Sequence, residues 1–186
     1  MSAVPNTFEN VKAVILSAHK GTTSKEKVDF YNSWAENYDQ LKNHGFGHFV
    51  GVDGSEAMLE VARESGLYQD LKQVLLGEDP LPVQWENAFD VVVIVGALSV
   101  GQVPVCVVRD LCKSTKPGGY VCMTTRSNRD NLEYKASLDS ELRQMEEEGL
   151  WTCVEVTQVK DWEKAVSEHE DGYISGAVYL YEKLQV

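Results

Sequence analysis

The side chains of this chain best placed to do chemistry are an acid and small residues at the tips of apolar runs. In Phe49-Val50-Gly51-Val52-Asp53-Gly54-Ser55 a β-branched run ends in a carboxylate, turns on a glycine and enters a helical pattern through Ser55. In nucleotide-binding α/β proteins an acid at the tip of the second strand accepts hydrogen bonds from a ribose, so Asp53 is the first candidate. Other chemistries find less support. His19, His44, His48 and His169 are scattered and read as surface residues. Cys106, Cys112, Cys122 and Cys153 show neither a CxxC pair nor zinc-ligand spacing, so no metal is expected and a reducing compartment is. Gly45-Phe46-Gly47 precedes a strand, whereas a phosphate-cradling loop follows one and opens a helix.

The elements that must position Asp53 follow from periodicity. Apolar residues at helical spacing predict a short helix through Val11, Val14, Ile15 and Ala18. The capping box at Thr23 and Glu26 opens a second helix, with Val28, Tyr31, Trp34 and Ala35 on one face. After Asp53, Ser55 caps a helix with Met58, Val61 and Ala62 inward, ended by Gly66. Leu71–Leu76 is a short strand. Phe89–Gly96 is a continuous apolar run, which predicts a strand buried on both faces. Val103–Cys112 has helical spacing, Lys116-Pro117-Gly118-Gly119 is a turn, and Tyr120–Thr125 is a strand. Asp130 or Asn131 caps a long helix through Glu148, with Leu132, Leu138, Leu142 and Met145 inward and Gly149 as its stop. Trp151–Val159 and Tyr173–Tyr181 are two late strands. Alternating strands and helices predict an α/β fold with a mostly parallel sheet and one late antiparallel strand.

With 186 residues the chain has room for one full core. Its net charge of -12 argues against broad contact with a phosphate backbone. Arg126, Arg129, Lys135 and Arg143 read as a solvated helix face. Val11–Ala18, the only apolar run near the N-terminus, is too short to span a bilayer. The expectation is an intracellular monomer, cytoplasmic or nuclear, without membrane contact.

The ordered set Gly51-Val52-Asp53-Gly54-Ser55-x-x-Met58-Leu59, the acids Glu78 and Asp79 before Leu81-Pro82, Phe89-Asp90-Val91-Val92, and Leu111-x-x-x-x-Lys116-Pro117-Gly118-Gly119 resembles the class I, Rossmann-like methyltransferases that use S-adenosylmethionine. The likeness covers about residues 30 to 185. It implies one domain over 1–186, with 1–40 an N-terminal helical cap, 41–48 a linker and 49–186 the rest of the sheet. By the resemblance, Asp53, next to Gly51, would hold the ribose of S-adenosylmethionine, and Ser55 and Met58 would line the adenine. Glu78 or Asp79 would accept from the adenine amino group. Gly96, Ala97 and Leu98 would floor the pocket beneath the sulfonium, and Trp34 and Tyr38 would close it. Gly96-Ala97-Leu98-Ser99 carries none of the Asp/Asn-Pro-Pro-aromatic logic of amine-methylating DNA enzymes. Methyl transfer depends largely on positioning, so no catalytic residue is assigned. The acceptor is a small molecule or a protein. A nicotinamide-binding oxidoreductase, which also suits a strand-tip acid, is the weaker alternative.

One departure is large. The family places a first strand, a Gly-rich loop and a first core helix between the Tyr-Asp motif and the ribose acid. Here only Leu41 to Val50 separate Gln40 from Gly51, and such a unit needs roughly 30 residues. The join has the form of an internal deletion, such as alternative splicing produces. Losing three or four backbone hydrogen bonds to the cofactor removes on the order of 4 kcal/mol, about a thousandfold in affinity. The expectation is a chain of methyltransferase kind in which cofactor binding is lost or strongly weakened. Its alternative is a non-catalytic form acting through interaction or regulation.

Overall fold

A computed structural model describes residues 45–164 and 172–185. The two expected N-terminal helices, together with Trp34 and Tyr38, lie outside these residues. The chain divides between Leu75 and Leu76 into two compact units.

In the first unit, β1 (Val50–Asp53), α1 (Glu56–Glu64) and β2 (Asp70–Gln73) form a strand–helix–strand sequence. The strands pair in parallel, Val50 opposite Asp70 and Asp53 opposite Gln73. β2 thus starts and ends earlier than Leu71–Leu76, because Asp53, the last residue of β1, stands opposite Gln73. Ser55 occupies the N-cap position of α1, but its side chain makes no capping bond; its carbonyl accepts from Met58 and Leu59 N–H, each at 3.1 Å. The inward face also differs from expectation. Leu59 is the buried residue, flanked by half-buried Met58 and Ala62, while Val61 is exposed. At 100° per residue, positions 58, 59 and 62 share one face and 61 falls on the other. Gly66, at φ +65°, ends the segment in the left-handed region expected after a helix.

The second unit is a four-stranded sheet in the order β3-β4-β6-β5: β3 (Phe89–Leu98), β4 (Thr115–Arg126), β6 (Tyr173–Lys183) and β5 (Trp151–Lys164). β3 and β4 run parallel, and β6 runs antiparallel to both β4 and β5. This is the mostly parallel arrangement with one late antiparallel strand. Helices α2 (Val107–Ser114) and α3 (Leu132–Glu147) complete the unit. α2 begins four residues later than Val103 because Pro104 disfavours helical geometry in its predecessor; the Pro104 carbonyl instead accepts from Val107 N–H at 3.2 Å.

Three further expectations change. β3 is not buried on both faces: Ile94 and Leu98 are buried, but Val93, on the opposite face, is exposed. Lys116-Pro117-Gly118-Gly119 is not a turn between elements. It lies inside β4, where Phe89 faces Thr115 and Val91 faces Tyr120, so these four residues bulge opposite Asp90. Gly118 takes φ +76°, and a Cβ on Gly119 would come within 2.7 Å of the Asp90 carbonyl. Lys116 Nζ spans the bulge to both Asp90 carboxylate oxygens at 2.9 Å. In α3, Leu138, Leu142 and Met145 are buried as expected, but Leu132 is exposed.

Trp151 is fully buried in the core. Its ring lies 4.6 Å from that of Tyr181, and its indole N–H donates to the Leu142 carbonyl at 3.2 Å, which joins β5, β6 and α3. Arg109 clamps α2 to the end of α3, donating to Glu141 at 2.5 Å and to the two Glu148 oxygens at 2.7 and 3.1 Å.

Two outcomes follow. Trp151→Ala should destabilise the second unit by about 3–5 kcal/mol, read as a lowered urea midpoint. The Glu148 carboxyl is held down to about 2, first by the Arg109 hydrogen bond and then by Gln144. A depressed folded-state value means that the contribution is present above the unfolded value and lost as pH falls through the folded one. The gap in urea midpoint between the native chain and Glu148→Gln should therefore close as pH drops from about 5 toward 2; an unchanged gap would refute the clamp as its source.

Candidate functional site

The sequence candidates divide between the two units, and each set is described within its own unit. In the first, Asp53 ends β1. Its Oδ1 accepts the Ser55 N–H at 2.8 Å, an Asx-type turn that fixes the carboxylate at the strand tip. The second oxygen, Oδ2, has no partner among the described residues and is available to accept. Gly51 is required by packing, since a Cβ there would meet Leu71 Cδ2 at 2.6 Å and the Tyr68 ring at 3.0 Å. Ser55 is exposed and Met58 half-buried.

In the second unit, Glu78 and Asp79 are both exposed, on a turn in which Leu76 and Asp79 bridge. The turn is seated on the segment after β3, because Gly77, at φ +90°, packs directly on Pro104 and Val107. Gly96 and Ala97 lie near the end of β3. Gly96 takes φ +74°, donates its N–H to Thr124 Oγ1 at 2.9 Å, and has open space where a Cβ would stand. Leu98 is fully buried in the core cluster, so its side chain supports the strand end from within. Its carbonyl accepts from Thr125 Oγ1 at 2.6 Å.

Asn131 stands at the N-cap position of α3 as expected, but its side chain makes no capping bond and does something periodicity does not predict. It is 1% exposed. Its Oδ1 accepts from Val100 N–H at 2.8 Å, and its Nδ2 donates to Thr125 Oγ1 at 3.1 Å and to the Arg126 carbonyl at 2.8 Å. One amide thus ties the loop after β3 to the end of β4 and the start of α3. Tyr134 on α3 adds a second tie, its hydroxyl donating to the Val103 carbonyl at 2.7 Å; burial raises this phenol to about 12. Between the ties lies an open groove of about 450 Å³, lined by Ser99–Val105 with Glu133, Tyr134 and Ser137. The sequence signal was the polar run Thr124-Thr125-Arg126 at the tip of an otherwise apolar strand. Among the described residues no three His, Cys, Asp or Glu side chains gather as metal ligands would.

Within each unit the candidates stand at strand ends, Asp53 at the tip of β1 and Gly96 near the end of β3, the position at which open α/β sheets bind ligands. The family described as a methyltransferase domain matches residues 35–174. The chain belongs to the S-adenosylmethionine-dependent methyltransferase family, which removes the nicotinamide alternative. It is 38% identical to human methyltransferase-like protein 27 over 188 residues, covering 78% of this chain and 76% of that one. Among solved structures it resembles an S-adenosylmethionine-dependent methyltransferase from Mesorhizobium loti, at a TM-score of 0.55 and 16% identity over 78% of this chain and 85% of that one. A protein solved in work on the conversion of a disulfide bond into a thioacetal group during echinomycin biosynthesis is similar at a TM-score of 0.54 and 19% identity, over 80% and 72%. These likenesses show the Rossmann-like fold. No described helix is long and apolar enough to cross a membrane.

Asn131→Ala should cost about 2–3 kcal/mol by orphaning buried groups and should speed amide exchange at Val100. Unchanged exchange there would show that the loop is held by something else.

Proposed function

We propose that this chain is a methyltransferase-family protein whose site for S-adenosylmethionine is incomplete, so that cofactor binding is lost or strongly weakened and its role rests on binding rather than catalysis. The observation that carries this reading is the join between Gln40 and Gly51, too short for a strand, a Gly-rich loop and a helix. The comparison with the human relative supports it. Seventy-eight per cent of 186 residues is about 145, so about 43 of the 188 aligned positions face no residue of this chain. That is enough for the absent unit, and an internal deletion, such as alternative splicing produces, is its proposed origin. The strand pairing is of the same sense, since among the described residues β1 pairs only with β2 and β3 only with β4.

The residues present fit the cofactor in part. Asp53 has one carboxylate oxygen without a partner among the described residues, as a ribose would need, with Gly51, Ser55 and Met58 beside it in sequence. Glu78 or Asp79 offers an exposed acceptor for an adenine amino group, and Gly96 and Ala97, with Leu98 behind them, form an open strand end. By the family resemblance Trp34 and Tyr38, which lie outside the described residues, would close the pocket. The backbone donors of a Gly-rich loop have no counterpart between Gln40 and Gly51.

Isothermal titration with S-adenosylhomocysteine tests the reading. No saturable heat up to about 1 mM is expected, from the thousandfold loss that three or four missing hydrogen bonds imply. Micromolar binding would overturn it.

A further inference from the structure

We propose that β3 is a dimer interface: its outer edge pairs, antiparallel and about a two-fold axis at Val93, with the β3 of a second copy of this chain. The inference rests on strand pairing in the second unit and not on the cofactor reading, and it replaces the monomer expected from the sequence.

Among the described residues β3 has one ladder partner, β4. The Asp90 carbonyl is the atom nearest to where a Gly119 Cβ would stand in β4, and Gly96 N–H donates to Thr124 Oγ1 at 2.9 Å. The even-numbered residues thus turn their backbone groups toward β4. Successive residues of a strand present these groups to opposite edges, which leaves the N–H and C=O of Val91, Val93 and Val95 on the outer edge. No described strand pairs with them there. An unpaired row of this kind is a template for another strand.

Two features select a second copy as the occupant. The first is self-complementarity. In the antiparallel register centred on Val93, Val93 meets its own counterpart, Val91 meets Val95 and Val92 meets Ile94. The outward backbone groups then form hydrogen-bonded pairs, and these cross-strand side-chain pairs are all apolar and β-branched. Val93, 44% exposed, lies at the centre of the seam. Asp90, the one charged residue of β3, stands opposite Gly96, whereas an in-register parallel pairing would set Asp90 against Asp90.

The second feature is the contrast with the strand at the far side of the sheet. β5 breaks its register between Cys153 and Glu155 and again between Val159 and Glu163, turns Asp161 to φ +53°, and carries Glu155, Lys160, Asp161, Glu163 and Lys164. Bulges and charges of this kind keep an edge from pairing. β3 has no proline, lysine or arginine, and its ladder to β4 is unbroken from Val91 to Ile94. Its Asp90 is already held by Lys116 at 2.9 Å. Pairing through β3 therefore closes at two copies, as an isologous contact does.

Sedimentation of the full chain from micromolar to near-millimolar concentration tests the proposal, with amide exchange read on the same samples by NMR. The 20.8 kDa monomer should give way to a species of twice that mass and none larger. The amides of Val91, Val93 and Val95 should become protected as the dimer forms. In a mixture of isotope-labelled and unlabelled chains, a cross-peak between the α protons of Val92 and Ile94 from different copies should mark the antiparallel register. Val93→Lys sets two ammonium groups against each other on the axis and should weaken association about tenfold or more. Val93→Thr, β-branched and neutral, should retain it, and since Val93 is exposed both variants should keep the spectral dispersion of the native chain. A monomer at every concentration, growth past the dimer, a dimer whose three amides stay unprotected, or a Val93→Lys chain that associates like the native one would each overturn the inference. The S-adenosylhomocysteine titration reads a ligand and not subunit number, so the two readings fail separately.

Discussion

A strand leaving water must satisfy the backbone groups on both of its edges, and in the second unit one strand supplies an edge to two of the other three. β6 pairs with β4 from Tyr120 opposite Glu182 to Arg126 opposite Gly176, and with β5 from Trp151 opposite Lys183 to Lys164 opposite Tyr173. It is also the most thoroughly buried element: Ala177, Val178, Tyr179, Leu180 and Tyr181 are all core. Because β6 fixes β4, it fixes the parallel ladder to β3, and so the strand end from which the candidate site opens. Among the described residues β5 has no other partner in the sheet.

Polar side chains finish what the ladders leave open. Lys183, at the end of β6, donates to Asn87 Oδ1 at 2.7 Å and to the Thr115 carbonyl at 2.9 Å, beside the end of α2. Tyr179 donates to Asp139 Oδ1 at 2.6 Å, and Lys135 holds the other oxygen of that carboxylate at 2.7 Å, which seats α3 on the sheet. The Tyr179 hydroxyl is pushed well above the ordinary phenol range, first by burial and then by the neighbouring Asp139. These contacts are structural.

Much of this architecture is legible in the residues because alternation and punctuation are local. β-Branched runs bounded by Gly and Pro gave the strands, and the spacing of Leu138, Leu142 and Met145 gave the buried face of α3. What was misread depends on neighbours distant in the chain. A run such as Phe89–Gly96 looks the same whether one face of the strand is covered or both. Pro-Gly-Gly signals a reversal of direction, and a four-residue bulge uses the same left-handed glycine. Asn131 before a helix reads as a cap, because nothing local reveals a partner 31 residues away at Val100. Asp53 was legible for the opposite reason, since its strand, turn and helix occupy a single short stretch.

The central position of β6 also bears on synthesis. It is the last described strand, yet β4 and β5 both pair with it. Until residues 173–183 have left the ribosome, β5 has no ladder to join and β4 lacks one of its two. The closing contacts span long separations, such as the 96 residues between Asn87 and Lys183, and contacts of that range slow folding. The nascent second unit therefore exposes the apolar faces of β3 and β4 through most of its translation, an interval in which a chaperone has more to bind than in the finished fold.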